Sequence, residues 1–364
     1  MAAPPPDQPA RQPAGEPAPP PRRWVWGVLL ALLVALAAWL LYQRWGRQFD
    51  WRAFARSFAS LDWGWLALAI GAALATYWGR ALRWAVMLRP LRPRPNLWGL
   101  FTATLIGFAS VVLVGRPAEL VRPYLIASRE RVPFSSQLGA WTLERIADLL
   151  AILLVFGFAL TQVSTARSGV GTWLKWVLTG GGYVAAVGVV VLLLLLFLVG
   201  RSPARVRERL TEAVEFLPEP YFKRVERMLA AFLEGLSALR DRGSVAWFIG
   251  YTALEWVLVA FCILALFRAY PDMPRLGVGE VIVFMGLVSF GSLFQIPGIG
   301  GGVQVAAVLV LSEIYHVPIE LASSVALMIW FVTFVVVVPI GLPLALHEGL
   351  GWRKMRQMRL ENHL

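Results

Sequence analysis

Cysteine and histidine are nearly missing from this chain. One cysteine, Cys262, lies inside an apolar run, and three histidines (His316, His347 and His363) are scattered outside any motif. An internal disulfide is therefore excluded, and neither a metal centre nor another cofactor is expected. Charge is also scarce: 15% of the 364 residues are Asp, Glu, Lys or Arg, against about 25% in a soluble domain. The apolar blocks show no alternation of polar and apolar positions, which sets aside a membrane β-barrel. Acidic residues are outnumbered 22 to 34, leaving a formal charge of +12. That excess sits in loops between apolar blocks, so it points to anionic lipid headgroups and not to nucleic acid.

What is abundant is apolar length. Hydrophobic residues make up 58% of the chain, concentrated in blocks of roughly 17–28 residues, enough to cross a hydrocarbon core about 30 Å thick. An all-α polytopic membrane protein follows. Spans are expected at 24–42, 63–79, 97–114, 137–160, 172–199, 244–268, 277–296, 297–313 (glycine-rich) and 319–346. The Pro/Ala-rich segment 1–23 reads as a disordered cytoplasmic tail, 24–346 as the membrane domain, and 347–364 as a basic cytoplasmic tail. The first span is too long for a signal-peptide core and lacks a small-residue cleavage site, so it stays in place.

Arginine sets the sidedness. Loop 80–96 carries Arg80, Arg83, Arg89, Arg92 and Arg94; segment 201–242 and the C-terminal tail are also basic, and all three are expected in the cytoplasm. That holds if 97–130 and 277–313 are re-entrant hairpins that return to the side they enter from. A crossing, a hairpin and a crossing then fill 63–160, and the same order fills 244–346 in the opposite orientation. Inverted repeats with broken helices at their centre are a transporter architecture. Segment 203–242 has helical apolar spacing broken at Pro218 and Pro220, and reads as two amphipathic helices on the cytoplasmic surface. In 43–62, the Phe54, Phe58 and Leu61 spacing suggests a short interfacial helix.

Three stretches could carry a site. "GRPAELVRPY" (115–124) combines Arg116, Glu119 and Arg122 with two prolines and Gly115, which permits a tight reversal. It is either the tip of a hairpin lining a polar cavity or a cytoplasmic loop whose arginines touch phospholipid. "WTLERIADLLAILLVF" (141–156) puts Glu144, Arg145 and Asp148 in the first half of a crossing. Each unpaired charge there costs about 2.5–3.5 kcal/mol on insertion scales. Glu144 and Asp148, four apart, share a face, and Arg145 and Asp148, three apart, can pair. They form either a self-satisfied helix-cementing cluster or a site facing Arg116 or Arg122. "QIPGIGGGVQ" (295–304) offers Pro297, Gly298, Gly300, Gly301 and Gln304 at the second hairpin tip. Its glycines either expose backbone N–H groups to an anionic headgroup or allow close helix packing.

"YWGRALRWAVML", "GRPAELVRPYLIASRERVPFSSQLGAWTLERIADLL" and "IPGIGGGVQVAAVLVLSEIYHVPIELASSVAL" together resemble the lysylphosphatidylglycerol synthase/flippase transmembrane family, the membrane half of the multiple peptide resistance factor. The resemblance covers roughly 25–345. It implies a lipid flippase fold in a prokaryotic inner membrane, with both termini cytoplasmic. Only 346–364 follow the last span, so no synthase domain is expected in this chain, and a separate lipid synthase would supply the cargo. Two departures stand out: Gln304 where relatives often carry an acid, and Trp330 in a last span where many carry an arginine.

The expected function is translocation of an anionic or aminoacylated lipid, or of a lipid-linked precursor, between leaflets. The chain is not expected to be an enzyme, and a homo-oligomer is compatible with everything above. Two rival functions are a membrane enzyme acting on a lipid phosphate and a non-transporting partner of a cell-envelope synthase. The first would need an acid–base or metal role for Glu119, Glu144 and Asp148, yet no histidine pair or positioned nucleophile accompanies them.

Overall fold

The computed structural model describes residues 49–166, 241–291 and 302–348, with scattered positions between 180 and 231. The expectations for the two tails, for 24–42, for most of 172–199 and 203–242, and for the second hairpin tip (Pro297, Gly298, Gly300 and Gly301) lie outside these residues. Among the described residues every regular element is a helix. They run α1 (Trp51–Ala59), α2 (Trp63–Leu88), α3 (Leu97–Val114), α4 (Val121–Glu130) and α5 (Phe134–Ala166). The second half holds α6 (Arg242–Ala269), α7 (Val278–Gly291), α8 (Gly302–Leu309), α9 (Ile319–Trp330) and α10 (Val338–His347).

Leu97–Val114, Gly243–Ala269 and Ile319–His347 are each long and apolar enough to cross a membrane. The pair α1 and α2, bent by 82°, makes a fourth when taken as one span. The bend is built by Asp62, whose carboxylate accepts the N–H groups of Gly64 and Trp65 and so starts α2. Helix α1 is the short helix read from the Phe54, Phe58 and Leu61 spacing, although it ends at Ala59, short of Leu61; the two phenylalanine rings meet edge to face at 5.2 Å. Asp241 caps α6 in the same way, taking the Ser244 N–H at 2.7 Å; that bond holds its carboxyl below the usual carboxylate range.

One sequence expectation is corrected here. Residues 80–88 are not loop: α2 runs on through Leu88, and Arg83 is fully buried inside the bundle. The helix continues because carboxylates from other helices neutralise its arginines, which a reading by loop charge does not see.

Helices α3 and α4 form a hairpin. Gly115, at φ 89°, takes a backbone conformation that a side chain would strain, and a 3-10 turn over Arg116–Leu120 completes the reversal. The two open ends are tied together, because the Asn96 N–H donates to Glu130 at 3.0 Å and Arg129 donates to the Gly99 carbonyl and to Thr102. Midway, a Cβ on Gly107 would come within 2.6 Å of the Arg122 Cβ, so only glycine lets the arms approach this closely. The second half has a similar turn-back: α7 packs on α8, and Tyr315, past the end of α8, donates its hydroxyl to the Glu280 carbonyl at 2.9 Å.

The ends follow from contacts. Helices α2 and α6 are antiparallel, with Asp62 N–H bonded to the Ala269 carbonyl and Arg83 beside Thr252. The first hairpin opens at the end where α2 finishes, and Glu348, just past α10, pairs there with Arg129. The second hairpin opens at the opposite end, where α6 finishes and Arg268 holds the Leu276 carbonyl. Each hairpin's first arm packs on the last helix of the other half: α3 on α10, and α7 on α5. Both crossings are glycine contacts, Gly341 against Leu105 and Ala109, and Gly286 against Val155, Phe156 and Ala159.

The apolar interior is divided. One core gathers Ala73, Leu153, Cys262, Phe284 and Leu311 toward the second hairpin's end, and another gathers Ala81, Trp84, Ile126, Leu143 and Phe248 toward the first. On α2, α5 and α6 the charges lie where these two cores meet, with Arg83 set between Ala81 and Trp84 of the second.

Candidate functional site: a charged seam between two apolar cores

Seven charged side chains from four helices meet at this seam: Arg80 and Arg83 from α2, Arg122 from α4, Glu144, Arg145 and Asp148 from α5, and Glu255 from α6. Arg83 is the hub. Its guanidinium reaches Glu144 at 2.6 Å, Asp148 at 2.7 Å and Glu255 at 3.3 Å. Arg80 pairs with Glu255 at 2.5 Å and stands 3.8 and 3.9 Å from Glu144 and Asp148. Glu144, wholly buried, also takes both of its contacts with Arg122 through Nη1, at 3.0 and 3.1 Å.

Local sequence explains how Arg122 arrives. The 3-10 turn delivers it into the first turn of α4, and Gly107 leaves room for its stem. Its guanidinium then lies 4.1 Å above the Trp84 ring, a cation–π contact, and donates to the Arg80 carbonyl at 3.2 Å. Trp84 is itself fixed by its indole N–H, which donates to Gln137 at 2.9 Å. The i,i+3 spacing of Arg145 and Asp148 yields the expected pair, at 3.2 Å.

The depth is informative. Glu144 lies about 15 Å along α5 from Phe134, at about 1.5 Å per residue. Arg122 is a similar distance from the open end of the hairpin, and Glu255 is near the middle of α6. About 15 Å is half the thickness of a hydrocarbon core. The cluster also has an open side. The Arg145 side chain is 40% exposed, Arg80 18% and Asp148 15%, whereas Glu144 and Arg83 are sealed. An open cavity of about 490 Å³, lined by Trp65, Arg268, Tyr270 and Arg275 among others, lies toward the other end of α2 and α6 and does not include the cluster.

Of the residues singled out in the sequence, Arg122, Glu144, Arg145 and Asp148 come together. Glu119 lies half-buried on the 3-10 turn and makes no ion pair among the described residues. Gln304 lies in the first turn of α8 with a buried Oε1 that has no described partner, and no contact joins it to the cluster. Arg116 is placed by its backbone alone, at the start of the 3-10 turn. Arg80, Arg83 and Glu255 were missed. Glu255 had a signal: it is the sole acid in the apolar run 245–267, where a charge is costly. Among the described residues no group of three or more His, Cys, Asp or Glu is arranged to hold a metal ion.

Apolar spanning helices, folded hairpins and a buried charge seam define a multi-pass α-helical membrane protein. Residues 24–341 match the family described as lysylphosphatidylglycerol synthase TM region, and the chain belongs to that family. Membership ties it to membrane lipid. No curated protein and no solved structure matches the chain.

Proposed function

We propose that this chain is a translocator that moves a lipid or lipid-linked precursor between leaflets and performs no chemistry on it. The observation that carries the proposal is the charged seam buried between two apolar cores, about 15 Å along α5, built partly from the return arm of a hairpin and open on one side at Arg145. Charges at that depth are costly unless paired, and in membrane proteins they mark pathways for polar cargo. Hairpins opening at opposite ends, each packed on the other half, support an inverted repeat of the kind that lets two halves rock about a central site. Arg80, Arg145 and Asp148 would meet the headgroup, while Arg83 and Glu144 hold the frame. In this reading the end carrying Arg89, Arg92, Arg94, Arg129 and Arg131 faces the cytoplasm of a prokaryotic inner membrane, and a separate synthase makes the cargo.

The test uses the purified chain in vesicles holding a trace of acyl-labelled nitrobenzoxadiazole lipid. A membrane-impermeant reductant should bleach well beyond the outer-leaflet half. Bleaching that stops at half, as in protein-free vesicles, would refute translocation. Orientation has its own check in a Cys262→Ala background, using the exposed positions Ser128 and Asp272. An impermeant thiol reagent on intact cells should label Asp272→Cys and not Ser128→Cys; the reverse pattern overturns the assigned sides.

A further inference from the structure

Resting on the translocator reading, the charge balance of the seam says which lipid fits it. Four guanidiniums (Arg80, Arg83, Arg122 and Arg145) face three carboxylates (Glu144, Asp148 and Glu255), so one positive charge is left over. We propose that the seam takes the single negative charge of a phosphodiester headgroup and therefore selects anionic lipids over zwitterionic and aminoacylated ones.

Among the described residues no other acid pairs with the cluster. Glu130 is engaged at the open end of the hairpin by the Asn96 N–H and Arg92. Glu119 makes no ion pair among the described residues, and the apolar segments 167–202 and 292–301 contain no acid at all. A net charge at half-depth costs several kcal/mol even after local relaxation. An arriving anion offsets it; an arriving cation adds to it.

The second observation is independent of the count. On the open side of the cluster the Arg145 Nε–H is buried and has no acceptor among the described residues; the sealed Arg83 and Arg122 Nε–H groups and the Glu255 Oε2 are likewise without a hydrogen-bond partner but lie behind it. Buried donors without acceptors are uncommon in folded proteins and costly. A phosphodiester brings two non-bridging oxygens that accept without donating, the complement that guanidinium groups bind well. The excess is also accessible, because Arg145 is the most exposed member of the cluster and its partners, Asp148 and Glu144, already serve Arg83. A phosphatidylglycerol headgroup carries one negative charge and leaves the seam neutral. Phosphatidylethanolamine carries none overall. Lysyl-phosphatidylglycerol, with two ammonium groups and one phosphate, is a net cation and meets the leftover charge with repulsion.

The test compares labelled phosphatidylglycerol, phosphatidylethanolamine and lysyl-phosphatidylglycerol in the vesicle assay, beside thermal unfolding of the detergent-solubilised chain with their dioctanoyl forms and with inorganic phosphate. Phosphatidylglycerol should move about tenfold faster than phosphatidylethanolamine or more, as expected for one unit charge a few ångströms away. It should also raise the unfolding temperature most. Arg145→Gln, which removes the excess charge at an exposed position, should bring the ratio near one. Equal rates for all lipids, or fastest movement of the lysyl lipid, overturn the charge assignment and leave translocation standing. If no lipid moves, translocation fails, and the unfolding shifts still decide the charge preference. Stabilisation by inorganic phosphate equal to that by phosphatidylglycerol would assign the charge to a free anion and overturn the lipid proposal.

Discussion

Replacing Glu144 with alanine should cost the protein its fold before it costs it any activity. Glu144 is wholly buried and accepts from Arg83 and Arg122, so its removal leaves the buried Arg122 guanidinium without its carboxylate and Arg83 with only Asp148 and Glu255. Breaking a buried pair from one side costs about 3–5 kcal/mol, because the remaining charge has nowhere to go. That is a large share of the roughly 5–15 kcal/mol that holds a typical domain together. Fluorescence-detected size exclusion and thermal unfolding in detergent should show little monodisperse E144A and a sharply lowered midpoint. Asp148→Asn is the comparison: Asp148 is partly exposed and keeps its hydrogen-bonding shape as the amide, so a smaller drop is expected. Equal midpoints for E144A and the parent chain would mean that the seam does not hold the helices together.

The other large effect is steric. A methyl group at Gly341 would sit 2.6 Å from both the Leu105 carbonyl oxygen and the Ala109 Cβ, and one at Gly286 would sit 2.7 Å from the Val155 carbonyl oxygen. Two of these neighbours are backbone, which cannot step aside as a side-chain end can. Overpacking of this kind costs about 1–3 kcal/mol, or more where backbone must move. Helix association in a membrane depends on such close approach, since lipid is as apolar as the helix surface. Gly341→Ala and Gly286→Ala are therefore each expected to lower the unfolding midpoint, and Gly341→Leu to prevent assembly. Gly71→Ala and Gly250→Ala, with open space at the added carbon, should be near neutral. Unchanged midpoints for both crossing-point variants would mean that the α3–α10 and α7–α5 contacts are looser than described.

Most helix positions were legible because apolar length in a membrane is a strong signal: 97–114 is found as Leu97–Val114, and 244–268 as Arg242–Ala269. The hairpin at 97–130 was legible for a different reason, since only a return could keep the arginine-rich loops on one side. The site was half legible. Glu144, Arg145 and Asp148 announced themselves by their cost inside a span, and Arg122 by its place beside a reversal. Arg80 and Arg83 did not, because the same loop-charge rule that located the hairpin assigned them to its connecting loop. An arginine at a helix end has a stem long enough to reach water or to turn inward, and only the opposing carboxylates decide which. Glu255 completes the cluster from 175 positions beyond Arg80, a pairing that no local spacing encodes.

Between α9 and α10 the chain does not break. It widens into a π turn over Phe331–Val335, and the Tyr77 hydroxyl donates to the Thr333 carbonyl at 3.1 Å. Before the turn, Leu321, Val325 and Ile329 pack into the core nearer the second hairpin's end; after it, Gly341 meets α3 of the first. A π turn holds one residue more than an α turn, and one residue is about 100° of rotation. The widened turn thus works as a phase shifter, letting one continuous rod present differently aimed faces to two neighbours. Deleting Thr333 would turn the widened turn into an ordinary α turn and leave Gly341 in its seat, whereas regularising the turn with every residue kept would swing Gly341 about 100° away from Leu105. The alignment of the two halves is set, in part, by the count of residues in a single turn.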